Sequence, residues 1–144
     1  MKRIFHTILT GVVAATIFMS CKKDAASNST TTFATGAIIT QGTWKVTLLK
    51  HNGADETTNY TGYQFNFTNG GYAAAIFNGV VTNGSWDTLD DDSQNKLDLK
   101  FGTTPPLDHI TEDWHVTGAS STMVTMEHVS GGNGGTDYLT IQKL

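Results

Sequence analysis

What this sequence contains in small amounts narrows its chemistry before any motif is considered. It has one cysteine, Cys21, so no disulfide can form within the chain. Arg3 is the only arginine, and residues 21–144 carry seven lysines against thirteen acidic residues. Nucleic-acid binders neutralise phosphate groups with lysine and arginine. We therefore expect neither an internal disulfide nor a nucleic-acid partner.

No apolar run is long enough to span a membrane. Lys2 and Arg3 precede an apolar stretch from Ile8 to Met19 of about a dozen residues, whereas a spanning helix needs roughly 18 or more. A charged start, a short apolar stretch and a small residue, here Ser20, form the plan of a secretory signal. We predict a signal peptide over residues 1–20, with a helix within residues 4–19 that packs on nothing.

The cysteine follows this signal directly. A catalytic thiolate needs a positioned base, which a polar tail does not provide. The motif "FMSC" resembles a bacterial lipobox, which implies cleavage before Cys21 and acylation of its thiol and new amino group. A cysteine with two or three acyl chains stays on a membrane where one chain would only visit. We expect the protein to be anchored to the outer membrane of the bacterial cell envelope. It faces either the periplasm or the cell surface, and the sequence does not distinguish these two orientations.

Residues 21–41 have a polar composition rich in Ser, Thr, Ala and Asn. Such a stretch cannot bury enough apolar surface to fold by itself. We therefore predict a lipidated, flexible tether over residues 21–41 and a single folded domain over residues 42–144.

The folded part alternates apolar and polar residues in short segments that are separated by turns rich in Gly, Asn and Asp. A period of two with one apolar face is typical of half-buried antiparallel strands. Eight such strands favour an all-β, antiparallel up-and-down barrel, with an open sandwich as the alternative. The segments are "TWKVTLLK", "GYQFNFT", "YAAAIF", "VTNGSWDT", "KLDLKF", "HITEDWHV", "TMVTMEHV" and "TDYLTIQKL".

Three tryptophans carry a family resemblance. Gly42-Thr43-Trp44 resembles the Gly-x-Trp opening of lipocalins. The motifs "GSWD" with Trp86 and "DWHV" with Trp114 are similar to motifs in the small lipocalin-like lipoproteins of Bacteroidota. Avidin-type barrels also begin with Gly-Thr-Trp. The resemblance implies that Trp44 closes one barrel end beside the segment "GAIIT". In a closed barrel, the first strand must also pair with the last.

The inward face of these strands is rich in aromatic rings, and small-molecule sites are mostly apolar with a few polar groups. We therefore expect a small apolar or amphipathic ligand in the barrel of a monomeric protein. The alternative is a solid-core envelope protein that contacts a partner and holds no small molecule. The residues predicted to line a ligand site are Trp44, Tyr63, Phe65, Phe67, Trp86, Trp114 and His128.

No catalytic, metal or cofactor site is predicted. The acidic run Asp90–Asp92 has the character of an exposed turn and fails the spacing of an EF-hand calcium loop. His109, Glu112, Asp113 and His115 are close in sequence and have the side chains of zinc ligands or of an acid/base pair. On a strand, Asp113 and His115 share a face from which Glu112 points away, so the cluster offers at most two metal ligands. Thr88, in Asp87-Thr88-Leu89, matches a short acceptor pattern for O-glycosylation in Bacteroidota, and its modification is left open.

Overall fold

The computed structural model describes residues 28–91, 94–130 and 135–144. The signal peptide, the helix predicted within residues 4–19 and the lipidation site Cys21 lie outside these ranges. A helix, α1 (Asn28–Ile39), precedes nine strands. These are β1 (Thr43–His51), β2 (Ala54–Asp55), β3 (Gln64–Thr68), β4 (Tyr72–Phe77), β5 (Val80–Asp91), β6 (Gln94–Lys100), β7 (Asp113–Ala119), β8 (Met123–Val129) and β9 (Thr136–Lys143).

The strands form one closed antiparallel barrel, as the sequence predicts. Neighbours in sequence are neighbours in the sheet from β3 to β9, and β1 pairs with both β3 and β9. In the seam that closes the barrel, Trp44 lies opposite Lys143 and Val46 opposite Ile141. The pairing of "TWKV" with "YLTIQ" and the eight-stranded up-and-down topology are therefore confirmed. The ninth strand, β2, is a two-residue hairpin partner of β1.

Along β1 the inward face changes partway. Strict alternation predicts Trp44, Val46 and Leu48 on the buried face, but the pairing with β9 shifts by one residue between Val46 and Leu48. Such a bulge turns the following residues to the opposite face. Leu49 is consequently fully buried and Leu48 only half-buried, so the prediction was wrong for Leu48.

The strand predicted to begin at His109 begins instead at Asp113. Residues Leu107–Ile110 form a single 3-10 turn that follows Pro106. A proline has no amide hydrogen to give to a strand ladder, which favours a turn at this point. Leu107 and Ile110 are buried, so the turn covers one end of the barrel.

The flexible tether predicted up to residue 41 is replaced by helix over its second half. α1 lies against β5 and β6, and its side chains Thr35 and Ile39 have no exposed surface. The Nδ2 of buried Asn95 donates a hydrogen bond to the Thr35 hydroxyl at 3.0 Å. These partners lie more than fifty residues away in sequence, where a local reading of composition cannot find them. Within residues 28–91, 94–130 and 135–144, no helix is long and apolar enough to cross a membrane.

Two tryptophans lie at opposite ends of the barrel. Trp44, near the start of β1, donates its indole N–H to the carbonyl oxygen of Ile39 at 2.8 Å. Trp114, near the start of the oppositely running β7, donates to the carbonyl oxygen of Ile110 at 3.0 Å. Both rings are fully buried. The predicted role of Trp44, which closes one end beside the N-terminal segment, is confirmed, and Trp114 has the equivalent place at the other end.

Gly42 makes the entry to β1 possible. Its φ of +100° is a conformation that residues with a Cβ rarely adopt, and a Cβ there would lie 2.6 Å from the Lys143 side chain. The backbone conformation and the close approach of Lys143 thus explain why the Gly-Thr-Trp motif begins with glycine.

Candidate functional site

The interior of the barrel is a packed core. Four of the six aromatic residues predicted to line a ligand site, Trp44, Phe65, Phe67 and Trp114, have at most 4% of their surface exposed. A cavity large enough for a ligand would leave its walls with surface that water can reach, and these rings have almost none. Ligand pockets typically have volumes of about 300–1,000 Å³. These four side chains therefore contribute to the packing of the core.

The other two predicted rings, Tyr63 and Trp86, are half-buried at the margins of the core. Tyr63 stacks on Phe77 with ring centroids 4.6 Å apart. Trp86 donates its indole N–H to the carbonyl oxygen of Thr68 at 3.0 Å, and α1 passes over its ring at Gly36. Both are thus placed to contact molecules outside the barrel.

A cleft of about 330 Å³ opens on the side of the barrel between β1 and β3. It exists because β1 pairs with β3 over only two residue pairs, Trp44 with Phe65 and Thr43 with Asn66, before the strands diverge. We call it the lateral cleft. Its walls are Lys45, Val46, Thr47, Tyr60, Thr61, Gly62, Tyr63, Gln64 and Leu144.

Tyr60 closes the inner side of the lateral cleft. Its hydroxyl donates a hydrogen bond to the carbonyl oxygen of Pro106, and it belongs to a second 3-10 turn, Thr57–Tyr60. Burial raises the pKa of the Tyr60 phenol well above its ordinary value, and the nearby carboxylates of Glu56 and Asp108 add to the effect. This phenol therefore stays neutral in the folded protein and is a donor, not a charge.

His128, the seventh predicted site residue, lies at the rim and not in the interior. Its side chain is 20% exposed, and its ring meets the edge of Trp114 at a centroid distance of 6.1 Å. The ring Nε2 lies 3.9 Å from Oε2 of Glu112, and Nδ1 lies 3.4 Å from Oδ1 of Asp113. The inward orientation expected for His128 places its ring beside the carboxylates of Glu112 and Asp113.

We call Glu112, Asp113 and His128 the rim trio. One donor atom from each residue lies within 4.8 Å of the other two. The hydrogen bond that Lys96 donates to Asp113 Oδ2 at 2.9 Å holds the pKa of this carboxyl below its ordinary value. Strand alternation predicted Glu112 on the face opposite Asp113, but β7 begins only at Asp113, so alternation does not separate the two. His128 joins them from another strand, β8.

A second cluster at the same end joins two histidines. The rings of His51 and His109 stack with centroids 4.4 Å apart. Nδ1 of His51 lies 3.0 Å from Asp137 Oδ2, and Nδ1 of His109 lies 2.5 Å from Glu56 Oε2. This arrangement links the end of β1, the start of β9 and both 3-10 turns. The sequence carries no sign of it, since the two histidines are 58 positions apart.

The remaining predicted positions are on the surface. Asp90 is exposed near the end of β5, and Asp92 lies outside the described residues. Thr88 is half-buried and faces α1, where its Cγ2 approaches the position of Gly36. His115 is half-exposed and its Nδ1 lies 3.3 Å from Glu127 Oε1 on β8.

The fold is similar to that of a solved protein. The crystal structure of a DUF4847 family protein from Bacteroides vulgatus superposes with a TM-score of 0.50 and 13% sequence identity. The match covers 75% of this chain and 96% of that one. No family model matches this sequence, and no curated protein matches it. At 13% identity the likeness shows a shared barrel fold and nothing further.

Proposed function

We propose that this protein is a lipid-anchored module of the bacterial cell envelope, with a solid barrel that presents its outer surface to an envelope partner. The observation that carries the proposal is the burial of Trp44, Phe65, Phe67 and Trp114 to 4% exposure or less. A filled interior provides a rigid scaffold and leaves only the outside for binding. This favours the solid-core alternative over a ligand held within the barrel. The proposal assigns the protein no catalytic role.

Membrane attachment through Cys21 is the first part of the proposal. It is supported by the signal-like residues 1–20 and by the lipobox resemblance of "FMSC". In a bacterial host that processes lipoproteins, the parent should fractionate with the outer membrane and gain the mass of its acyl chains. Cys21→Ser removes the acylated thiol and should leave the signal uncleaved. An identical mature mass and fraction for parent and variant would contradict anchoring by this residue.

The solid core is the second part, and it is tested on protein extracted from cells in mild detergent. Native mass spectrometry should show the chain free of any stoichiometric small molecule, and added fatty acids should not shift the melting temperature. Photo-crosslinkers placed at the exposed positions Tyr72 and Val80 should capture a partner, while one at buried Leu97 should not. A stoichiometric bound molecule released only on unfolding would sink the solid-core proposal.

A small amphipathic ligand remains a second candidate function, and the lateral cleft is the observation in its favour. Its volume of about 330 Å³ reaches the lower end of ligand pockets, and it combines Tyr63 with polar Thr47 and Gln64. In NMR titrations with a panel of amphipathic compounds, a ligand of the cleft would shift the signals of Tyr63 and Leu144. Tyr138, which is exposed on β9 and outside the cleft, provides the control. No saturable shift at Tyr63 with any compound would exclude this candidate.

A further inference from the structure

We propose that the rim trio of Glu112, Asp113 and His128 binds a divalent first-row transition metal ion, for which Zn²⁺ is the test ion. Their donor atoms, one from each residue, lie within 4.8 Å of one another. One imidazole and two carboxylates form a mixed nitrogen and oxygen set that suits zinc and its neighbours better than calcium or magnesium, which prefer oxygen ligands alone.

The histidine is oriented as a metal ligand should be. Its Nδ1 lies 3.3 Å from the carbonyl oxygen of Asp113, so the ring N–H is assigned to this nitrogen and donates there. That leaves the lone pair of Nε2 directed to the side where Glu112 Oε2 lies 3.9 Å away. Metal-binding histidines usually donate their other ring N–H in this way, which fixes the tautomer and the ring. The edge contact with buried Trp114 restricts the ring further.

The carboxylates complete the set. Oδ2 of Asp113 accepts the Lys96 hydrogen bond, and Oδ1 lies 3.4 Å from Nδ1 of His128, the ring nitrogen that is assigned the N–H. A metal ion on Nε2 therefore binds Oδ1 only if the Asp113 carboxylate turns toward Glu112. Metal ligands must be deprotonated, and the carboxyl groups of aspartate and glutamate are ordinarily so at neutral pH. Zinc bonds of about 2.0–2.2 Å place tetrahedral ligands roughly 3.4 Å apart. Glu112, with 44% of its side chain exposed, has room to move closer.

The surroundings leave a fourth position open. A recess of about 210 Å³ adjoins Asp113 and His128, and Gln94, His115 and Glu127 are among its walls. Water or a group from another molecule can complete the coordination there. The Lys96 ammonium beside Asp113 opposes a cation, so the site is expected to bind more weakly than a closed structural zinc site.

The experiment uses the full chain in detergent with Cys21→Ser, because a free thiol is itself a zinc ligand. Zn²⁺ is titrated at pH 7 in competition with a chromophoric chelator, and Co²⁺ absorption reports the ligand set. In this background we expect one equivalent of Zn²⁺ to bind, and His128→Ala to weaken binding by at least about tenfold. Glu112→Gln, on an exposed side chain, should also weaken it. His115→Gln is the matched control, since His115 lies in the same recess and outside the rim trio, and it should bind as the background does.

Circular dichroism on each variant separates a lost ligand from a lost fold. If His128→Ala is folded and binds Zn²⁺ as tightly as the background, the rim trio is not the site. Binding lost in His115→Gln and kept in His128→Ala would move the ligands to the neighbouring pair of His115 and Glu127. A background chain that binds no equivalent of Zn²⁺ or Co²⁺ would overturn the proposal altogether.

Discussion

Replacing Trp44 tests how the barrel is closed and how α1 is held. The ring has no exposed surface, and its indole N–H is bonded to the Ile39 carbonyl oxygen at 2.8 Å. Truncation of a buried tryptophan costs about 3–5 kcal/mol, a large part of the roughly 5–15 kcal/mol that stabilises a domain. With a urea dependence of about 1.5 kcal/mol per molar, Trp44→Ala should lower the unfolding midpoint by about 2–3 M.

Trp44→Phe separates the hydrogen bond from the packing. Phenylalanine keeps most of the buried ring but leaves the Ile39 carbonyl without its donor, which costs about 1–3 kcal/mol. Because this bond joins β1 to the end of α1, hydrogen exchange in residues 35–40 should also become faster. Urea unfolding followed by far-UV circular dichroism measures the free energy, and mass spectrometry measures the exchange.

Trp86 is the control for this experiment. Its ring is half-buried and its indole N–H is bonded to Thr68 at the surface, so Trp86→Ala should cost less than about 2 kcal/mol. A Trp44→Ala variant no less stable than Trp86→Ala would refute the reasoning that Trp44 closes the barrel. Unchanged exchange in α1 for Trp44→Phe would show that the helix is held by other contacts.

Three further predictions concern a helix, a phenol and a carboxylate. Gly36→Ala should raise the free energy of unfolding by about 0.4–1 kcal/mol, because Gly36 is in a helix and an added Cβ would meet its neighbours at 3.5 Å or more. Gly84→Ala should lower the free energy of unfolding, since its Cβ would lie 2.3 Å from a backbone oxygen. A more stable Gly84→Ala variant would contradict this steric argument. The raised pKa of Tyr60 means that its contribution is fully present below about pH 10 and is lost as the pH rises further; absorbance at 295 nm should show one tyrosine ionising late, and that step should vanish in Tyr60→Phe. The lowered pKa of Asp113 acts in the opposite direction, so its contribution to stability is present above about pH 4 and is lost in more acid solution. Because the Asp113 side chain is 43% exposed, the free energy of unfolding of Lys96→Met in acid titrations should differ from that of the parent by less than about 1 kcal/mol. A larger difference would indicate a stronger ion pair.

The barrel could be predicted because its strands are amphipathic. Leu97, Leu99 and Phe101 alternate with polar residues and are all buried, and Phe65 and Phe67 do the same on β3. A strand with one buried face fixes its own register, since a slip by one residue would expose every apolar side chain. The exception at Leu48 came from a bulge against β9, which local alternation does not encode.

The candidate sites could be predicted only in part. The inward aromatic residues were identified correctly as inward, and four of them are buried in the core. Their predicted part in ligand binding stays a prediction. Whether rings line a cavity or fill it depends on how those from different strands pack together. The rim trio was missed because its imidazole comes from β8, and because Glu112 lies just before β7 and not on the strand that was predicted to turn it away from Asp113. The lipocalin resemblance and lipidation at Cys21 stay predictions.

By itself the sequence determined the elements whose signals are local: the period-two strands, the turns between them, and a tryptophan after a glycine at the start of β1. Each of these features depends on residues within one short segment, so it can be predicted without knowing where that segment lies in the fold. Only the tertiary structure decided which residues that are distant in sequence contact one another. Thr35 of α1 meets Asn95 across 60 positions, His51 stacks on His109, and His128 reaches Asp113, because barrel closure places distant strands side by side. Burial then selects which polar groups must pair, since an unpaired polar group in the interior costs about 1–3 kcal/mol, and no local pattern records that choice.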